Sequence, residues 1–231
     1  MRWTKSVLTA LAAVVLAGLP AAAQQAPPAP PGPQARFVVV LDAAHGGEDS
    51  GGRLNNGQLE KTFTLALSVR LRSLLSARGI QVVTTRESDA AVELNKRAEI
   101  ANHAQAQACL SLHASESGSG IHLFVSSLAP AEPARIPAWK TAQAAWVTRS
   151  LTLAGVLNSA LLHARISVTL GRNPLPAVDS MTCPAVAVEV APELGPGKKV
   201  TAGLDDPDYQ AKVASALAAA LLEWRTEAHQ P

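Results

Sequence analysis

The sequence predicts a single α/β domain with a mostly parallel, twisted sheet between helical layers. Short apolar runs without alternation, as at residues 37–41 and 185–190, are typical of strands covered on both faces. Amphipathic segments of helical period lie between such runs, and strands interleaved with helices imply crossover connections and parallel neighbours. The length of 231 residues fits one such domain. Since only 3% of the residues are aromatic, the core has to be built mostly from aliphatic side chains.

The predicted elements follow one another in a regular order. The helix over residues 62–78 has the clearest pattern, because its apolar residues recur at three- and four-residue steps. A helix over residues 92–104 is expected to turn Leu94 inward together with three alanines. The pattern is less clear over residues 166–183. Strands are predicted at residues 37–41, 80–84, 108–112, 121–125 and 185–190, and further helices at residues 139–164 and 209–224.

The first residues have the pattern of a secretory signal peptide. Residues 1–23 combine a basic start, an apolar run and an Ala-Ala-Ala end. The alternative is an uncleaved membrane anchor, but the apolar run is shorter than the ~20 residues that a spanning helix needs. Residues 24–35 are rich in proline and predict an extended linker, which places the folded domain at residues 36–231. We expect an exported protein, periplasmic or secreted, with no membrane span after signal cleavage.

Charge and cysteine content narrow the classes of function. The chain has 20 basic and 18 acidic side chains, and the two surplus basic residues, Arg2 and Lys5, lie in the signal segment. A nucleic-acid partner is therefore not expected. Cys109 and Cys183 are too few for a disulfide framework and lack the spacing of a CxxC metal clip. They could pair in an oxidising compartment, but since both lie near predicted core strands we expect two buried thiols.

Polar residues gather where the predicted strands end. In open α/β sheets ligands bind outside the carboxyl ends of the strands, and His45, His113 and Glu189 all lie at or near such ends. Glu60 follows a glycine-rich loop and directly precedes the first helix. Two imidazoles and one carboxylate from separate elements form the ligand set of a catalytic zinc site, which keeps a fourth position open. The remaining carboxylate could then handle a proton.

Each of these residues also has an ordinary structural explanation. A single histidine at a strand end is more often a hydrogen-bonded residue than a ligand, and an acid in the first turn of a helix is favoured by the helix dipole. Glu189 is harder to explain in this way, because a carboxylate among valines and alanines must be paired or functional to offset its desolvation. The other histidines are interpreted as structural or surface residues. They are His103, His122, His163 and His229.

Other sequence motifs are excluded. Gly52 and Gly57 have the spacing of a phosphate-binding loop, but Gln58 and Leu59 stand where that loop requires Lys and Ser or Thr. The chain contains neither a GxSxG nucleophile elbow nor an HExxH zinc motif.

Six short motifs follow one another along the chain: LDAAHGGEDSG at 41–51, LEK at 59–61, TRESD at 85–89, RAEIAN at 97–102, SLHA at 111–114 and PAVAVE at 184–189. Together they resemble the zinc-dependent N-acetylmuramoyl-L-alanine amidases. The resemblance spans roughly residues 37–224, in order and with compatible spacings. Three departures alter the surroundings of the motifs: Ala43-Ala44 replaces Pro-Gly, Val190-Ala191-Pro192 replaces Leu-Gly-Phe, and Asp179 replaces an arginine.

The resemblance implies a phosphorylase/hydrolase-like fold and assigns roles to residues. His45, Glu60 and His113 would be the ligands of Zn²⁺ and Glu189 the catalytic carboxylate. The substrate would be peptidoglycan, cut between N-acetylmuramic acid and the first L-alanine of the stem peptide. Asp42 is a candidate acceptor that fixes the His45 tautomer, although an acid that caps the glycine loop would look the same.

Two other functions and one form of regulation stay open. The first alternative is a zinc peptidase that acts on stem peptides, and the second is an inert peptidoglycan-binding module. An activator protein is a candidate partner, because some relatives resemble enzymes that are plugged until activated. Here residues 127–149, with Glu132 as an extra zinc ligand, would be the restraining segment.

Overall fold

The computed structural model describes residues 36–132 and 137–228, and these form one mixed α/β domain. The predicted signal peptide and linker lie outside the described residues. A 3₁₀ turn spans Trp139–Ala145, and a second one spans Pro196–Lys198. The strands are β1 (Val38–Ala43), β2 (Gln81–Thr84), β3 (Ala108–Ala114), β4 (Ile121–Ser126), β5 (Val168–Asn173), β6 (Ala185–Val190), β7 (Glu193–Leu194) and β8 (Val200–Ala202). The helices are α1 (Glu60–Ser76), α2 (Leu94–His103), α3 (Val147–His163), α4 (Pro176–Asp179) and α5 (Pro207–Ala228).

The central sheet has six strands in the order β2-β1-β3-β6-β4-β5. β2, β1, β3 and β6 run parallel to one another, whereas β4 is antiparallel to β6 and parallel to β5. The predicted α/β class and the mostly parallel sheet are therefore confirmed. Because β4 runs in the opposite direction, its first residues lie at the same edge as the last residues of β6.

The core lies on both faces of the sheet. On one face, alternate strand residues such as Leu41, Leu110 and Val188 pack in one apolar cluster with α1, α3 and α5. On the other face Val40 and Cys109 pack with α2 and α4. Helical layers on both faces explain why the strands carry continuous apolar runs. Among the described residues, no helix is both long enough and apolar enough to cross a membrane.

The prediction of one helix over residues 139–164 is wrong, because the structure has two elements there. The 3₁₀ turn and α3 are separate, and Trp146 between them has φ −114°. The side-chain amide of Gln143, which is fully buried, donates to the carbonyl oxygens of Met181 (2.9 Å) and Cys183 (3.1 Å). This tertiary contact holds the turn against the segment before β6.

The predicted inner row of α2 is correct only in part. Ala98 and Ala101 are fully buried, but Leu94 is 54% exposed because it lies at the N-terminus of the helix, beyond the packed turn. The stretch over residues 166–183, for which the sequence pattern is unclear, contains β5 and α4.

The two cysteines form a disulfide, so the prediction of two free buried thiols is wrong. Cys109 at the start of β3 and Cys183 just before β6 have Cα atoms 6.3 Å apart, within the range that a disulfide bridges. The bond closes a loop across 74 residues between two strands that are neighbours in the sheet. That adjacency is a property of the topology, and the sequence alone does not reveal it.

Candidate metal centre

His45 leaves the end of β1 in a conformation that turns its ring towards α1. Its φ of 62° lies in the left-handed region, which is uncommon for a residue other than glycine. The Nδ1 atom lies 2.9 Å from Asp49 Oδ2, and the Nε2 atom lies 3.1 Å from Glu60 Oε2. Since the carboxylate of Asp49 only accepts hydrogen bonds, Nδ1 carries a proton. Nε2 is the nitrogen that this arrangement directs at Glu60.

Asp49, and not Asp42, is therefore the acceptor that fixes the His45 ring. Asp42 is buried, accepts hydrogen bonds from Thr85 and Ser111 at 2.8 Å each, and pairs with Arg97. The candidate contact between Asp42 and His45 is wrong because Thr85, Ser111 and Arg97 already occupy the Asp42 carboxylate. Asp42 points across the sheet to Ser111 of β3, its register partner.

Glu60 is the first residue of α1 and is largely buried. Its Oε1 accepts from the backbone N–H of Ala114 at 3.2 Å, and its Oε2 accepts from the N–H of Gly52 at 2.9 Å. Burial raises the pKa of the carboxyl, but the hydrogen bonds from His113, His45 and the two backbone groups outweigh it and hold the pKa well below its usual value. Glu60 is thus kept ionised, as a metal ligand has to be.

His113 lies near the end of β3 and completes the cluster. Its Nδ1 is 3.0 Å from Glu60 Oε1, and its Nε2 is 3.5 Å from the hydroxyl of Ser111. Ser111 donates its own proton to Asp42, so its oxygen can accept a weak hydrogen bond from Nε2–H. Asp42 therefore reaches the metal centre through Ser111 and His113.

The three side chains fit a zinc ion. One ligand atom each from His45, Glu60 and His113 lies within 4.8 Å of the other two, and the atoms come from three separate elements. Two imidazole nitrogens and one carboxylate are the donors of catalytic zinc sites. Gly51 leaves the space for this cluster, because a Cβ there would lie 2.6 Å from His45 Cδ2 and 2.7 Å from Glu60 Oε2. The two imidazole side chains are 23% and 36% exposed, which leaves the open side that a substrate needs.

Glu189 stands next to this cluster in the sheet. It is the register partner of His113 across β3 and β6, so both side chains project from the same face at the same edge. Its side chain is 29% exposed, and its Oε1 lies 2.7 Å from His122 Nδ1. The structure therefore brings the four predicted site residues to one edge and adds His122, for which the sequence suggests only an ordinary structural or surface histidine.

The direction of β4 explains why sequence reasoning misses His122. If β4 ran parallel to β6, its second residue, His122, would lie at the edge of the sheet far from Glu189. Because β4 is antiparallel to β6, His122 lies opposite Glu189. The signal is present in the sequence: only eight residues separate the predicted strands at 108–112 and 121–125. A crossover between parallel strands requires a dozen residues or more.

Two buried arginines shape the loop that carries His45. Arg97 donates to the carbonyl oxygens of Ala43 and His45, each at 2.7 Å. Arg86 donates to those of Ala43 (2.9 Å) and Ala44 (3.0 Å). Burial lowers the pKa of Arg86, and the nearby charge of Arg97 lowers it further. These contacts satisfy the backbone carbonyls that β1 leaves unpaired at its end.

The metal centre opens into a cavity of about 620 Å³ on the α2 side of the sheet. Its lining includes His45, His113 and Asp49, residues 91–94 before and at the start of α2, and Ala177 of α4. A substrate chain can therefore reach the cluster from this side.

The remaining predicted residues lie apart from the centre. Glu132 is not buried and does not belong to the metal-binding cluster, so its prediction as an extra ligand is not supported within the described residues. Nδ1 of His103 donates a hydrogen bond to the Glu99 carbonyl oxygen on its own helix at 2.8 Å, and His163 is exposed at the end of α3. His229 lies outside the described residues.

Fold and site together define a protein of the α/β class with a candidate metal centre of two histidines and one glutamate, and comparison with known proteins gives the family. The family model described as N-acetylmuramoyl-L-alanine amidase matches residues 39–223. This chain belongs to the N-acetylmuramoyl-L-alanine amidase family.

Similar proteins carry the same description. The germination-specific N-acetylmuramoyl-L-alanine amidase of Bacillus subtilis is 28% identical over 212 residues, which cover 84% of this chain and 82% of that protein. The amidase AmiA of Escherichia coli is 43% identical over 77 residues, but these cover only 33% of this chain and 27% of AmiA. The catalytic domain of the amidase CwlV from Bacillus (Paenibacillus) polymyxa var. colistinus superposes with a TM-score of 0.65 at 27% identity, over 82% of this chain and 98% of that domain.

Proposed function

We propose that this protein is an exported, zinc-dependent amidase that hydrolyses the bond between N-acetylmuramic acid and L-alanine in peptidoglycan. Family membership supports the reaction, and the cluster of His45, Glu60 and His113 supports the metal. The single observation that carries the proposal is the register of Glu189 with His113, because it sets a second carboxylate beside the candidate metal ligands.

The two glutamates have different chemistry in this proposal. Each oxygen of Glu60 accepts one backbone N–H hydrogen bond and faces one imidazole nitrogen of the candidate metal cluster, so this carboxylate is fixed inside the cluster and is not placed to carry a proton to the substrate. Glu189 is bound through Oε1 to His122, and among the described residues no hydrogen bond reaches its Oε2. Glu189 is therefore the general base and Glu60 the ligand.

Bond cleavage then follows from these assignments. Zinc, when bound, supplies a Lewis acid that polarises the amide carbonyl and acidifies water. Glu189 takes a proton from the attacking water and returns it to the alanine nitrogen, since an unprotonated amine anion is a very poor leaving group. His45 and His113 stay neutral as ligands, with Asp49 and Ser111 holding their second nitrogens.

Product analysis on purified sacculi tests the reaction. The amidase releases stem peptides with a free L-alanine amino end and leaves the glycan strands intact, and E189Q should release them roughly 10² to 10⁴ times more slowly. A zinc peptidase would cut within the stem peptide, and an inert binding module would sediment with sacculi without releasing anything; either result refutes the proposal. Digestion only after addition of a periplasmic extract would indicate the predicted activator protein.

Export is the second part of the proposal. The disulfide between Cys109 and Cys183 supports an oxidising compartment, where such bonds persist. Amino-terminal sequencing of the mature protein from its host should begin at Gln24, directly after the predicted signal segment. Mature protein that retains residues 1–23 in the membrane would contradict it.

A further inference from the structure

We propose that His122 is a positioning residue for the carboxylate of Glu189, an inference that rests on the proposed function. Across β3, β6 and β4 the residues His113, Glu189 and His122 are successive register partners, so the carboxylate lies between two imidazoles on one face. Neighbouring strands are only ~4.8 Å apart, so the two rings flank Glu189 closely. The ring of His122 meets Glu189, with Nδ1 2.7 Å from Oε1.

The hydrogen bond fixes one oxygen of Glu189 and leaves the other for chemistry. An ionised carboxylate only accepts, so Nδ1 of His122 is the donor. The oxygen Oε1 can accept this bond whether Oε2 carries a proton or not, so the contact holds the carboxylate in place before and after it takes a proton from water. Such orientation matters because a displacement of about 1 Å at a reacting group can cost about 100-fold in rate.

The backbone around His122 keeps its ring from turning away. Gly118, in the loop between β3 and β4, has φ 86° and lies against the imidazole: a Cβ there would be 2.2 Å from Cε1 and 2.3 Å from Nε2. The loop is fastened to the chain that follows Glu189, since Gly120 N–H donates to Pro192 O at 3.0 Å and Ala191 N–H donates to Gly120 O at 2.8 Å. The side chain of His122 is only 13% exposed.

The position of the donor within the ring gives a sharp substitution test. An Asn side chain can place its amide N–H where Nδ1 lies, whereas a Gln side chain reaches the place of Nε2. H122A should lower kcat about 100-fold with KM and zinc content unchanged. H122N should restore most of the lost rate and H122Q should not. Equal rates for the Asn and Gln variants, or a loss confined to KM or zinc, would overturn the proposal.

A double-mutant cycle separates positioning from a general structural role. If His122 acts through Glu189, H122A should cause no further loss in the E189Q protein. If H122A lowers the residual activity of E189Q by the same factor as in the wild type, the two residues act independently and the proposal fails.

The glycine under the ring offers a variant that leaves His122 itself intact. G118A should lower kcat like H122A, because the added methyl group displaces the imidazole. The matched control is G79A, since Gly79 has a similar φ of 75° but a Cβ there would meet no atom within 4 Å, so this variant bears the same backbone strain without a clash. Equal kcat values for the two alanine variants would contradict the role of the ring.

Nitrogen NMR of the imidazole decides the geometry without any substrate. In the purified full-length mature protein, the proton of His122 should reside on Nδ1, in the neutral or the charged ring, and its signal should shift in E189Q. A neutral ring protonated only at Nε2 would overturn the proposal. This measurement stands even if the sacculus assay shows that the protein is not an amidase, so failure of the inference and failure of the proposed function are distinguishable.

Discussion

Arg97 and Asp42 form an ion pair with 2.7 Å between Nη1 and Oδ1, and their side chains are only 5% and 2% exposed. The pair links α2 to β1 directly behind the metal centre. Arg97 also donates to the carbonyl oxygen of His45, and Asp42 accepts from Ser111, which contacts His113. One buried pair therefore supports both histidines.

Removal of Arg97 should destabilise the fold and weaken the metal site. R97M leaves Asp42 buried without its partner, so the free energy of unfolding should fall by about 3–5 kcal/mol. The control on the same helix is K96M, because Lys96 pairs with Glu99 at 3.2 Å on an exposed surface and such pairs contribute about 0–1 kcal/mol. Urea denaturation of both variants measures the difference; similar losses would contradict the buried pair's importance.

The two glutamates at the site should fail in different ways. E189Q keeps size but cannot accept the water proton, so turnover should fall by roughly 10² to 10⁴ while zinc stays bound. E60Q removes the anionic ligand, so zinc occupancy should fall first, and added zinc should restore part of the activity. Metal analysis beside sacculus digestion distinguishes them. Loss of zinc in E189Q with retention of zinc and activity in E60Q would reverse the roles.

Zinc binding should depend on pH through His45. The hydrogen bond to Glu60 raises the pKa of this imidazole, and although burial lowers it, the contact with Asp49 raises it further. Zinc needs the neutral ring, so below the raised pKa it has to displace a proton, and its apparent affinity should fall as the pH drops. Titration of zinc into the metal-free protein between pH 5 and 8 measures this, and an affinity that is constant over the range would contradict it.

Asp49 should contribute to zinc affinity by holding the His45 ring. D49N keeps the size of the side chain but weakens the hydrogen bond to Nδ1, and loss of such partners typically lowers metal affinity 10- to 100-fold. E48Q is the matched control, because it removes a neighbouring exposed negative charge. If both variants lose the same affinity, long-range charge and not ring orientation is responsible.

The disulfide should stabilise the domain. Replacement of both Cys109 and Cys183 by alanine opens a loop across 74 residues, and the loss of a native disulfide typically costs 2–5 kcal/mol of unfolding free energy. Reduction of the wild type should lower its denaturation midpoint towards that of the double variant, while the double variant should not respond to reductant. A wild type that is indifferent to reductant would show that the cysteines are not paired.

Hydrophobic pattern predicts most of the fold from the sequence, because continuous apolar runs and helical periods are local. β6 is predicted with the bounds that the structure shows, and α1 within two residues at each end. The division between the 3₁₀ turn and α3 could not be predicted, since it depends on Gln143 contacting a segment some 40 residues further on. The disulfide escapes prediction for the same reason, because it requires knowing that β3 and β6 are neighbours.

The sequence predicts which residues form the candidate site, but it does not predict which neighbouring groups orient them. His45, Glu60, His113 and Glu189 are recognisable from residue type and position at strand ends, and the structure places all four at one edge. Which group orients each of them depends on side-chain direction and strand direction. Asp49, and not Asp42, is the partner of His45 because of the direction in which the side chains point. His122 lies beside Glu189 because of the direction in which β4 runs.

The insertion of β6 between β3 and β4 also sets an order of assembly. β3 and β4 are consecutive in the chain, yet they do not pair with each other, because a strand some 60 residues further on occupies the place between them. The metal ligand of β3 and the histidine of β4 can therefore be spaced correctly only after the chain up to Val190 has folded into the sheet. Contacts so distant in sequence form late and slowly. A newly made chain thus lacks a complete candidate site until its last quarter has been synthesised.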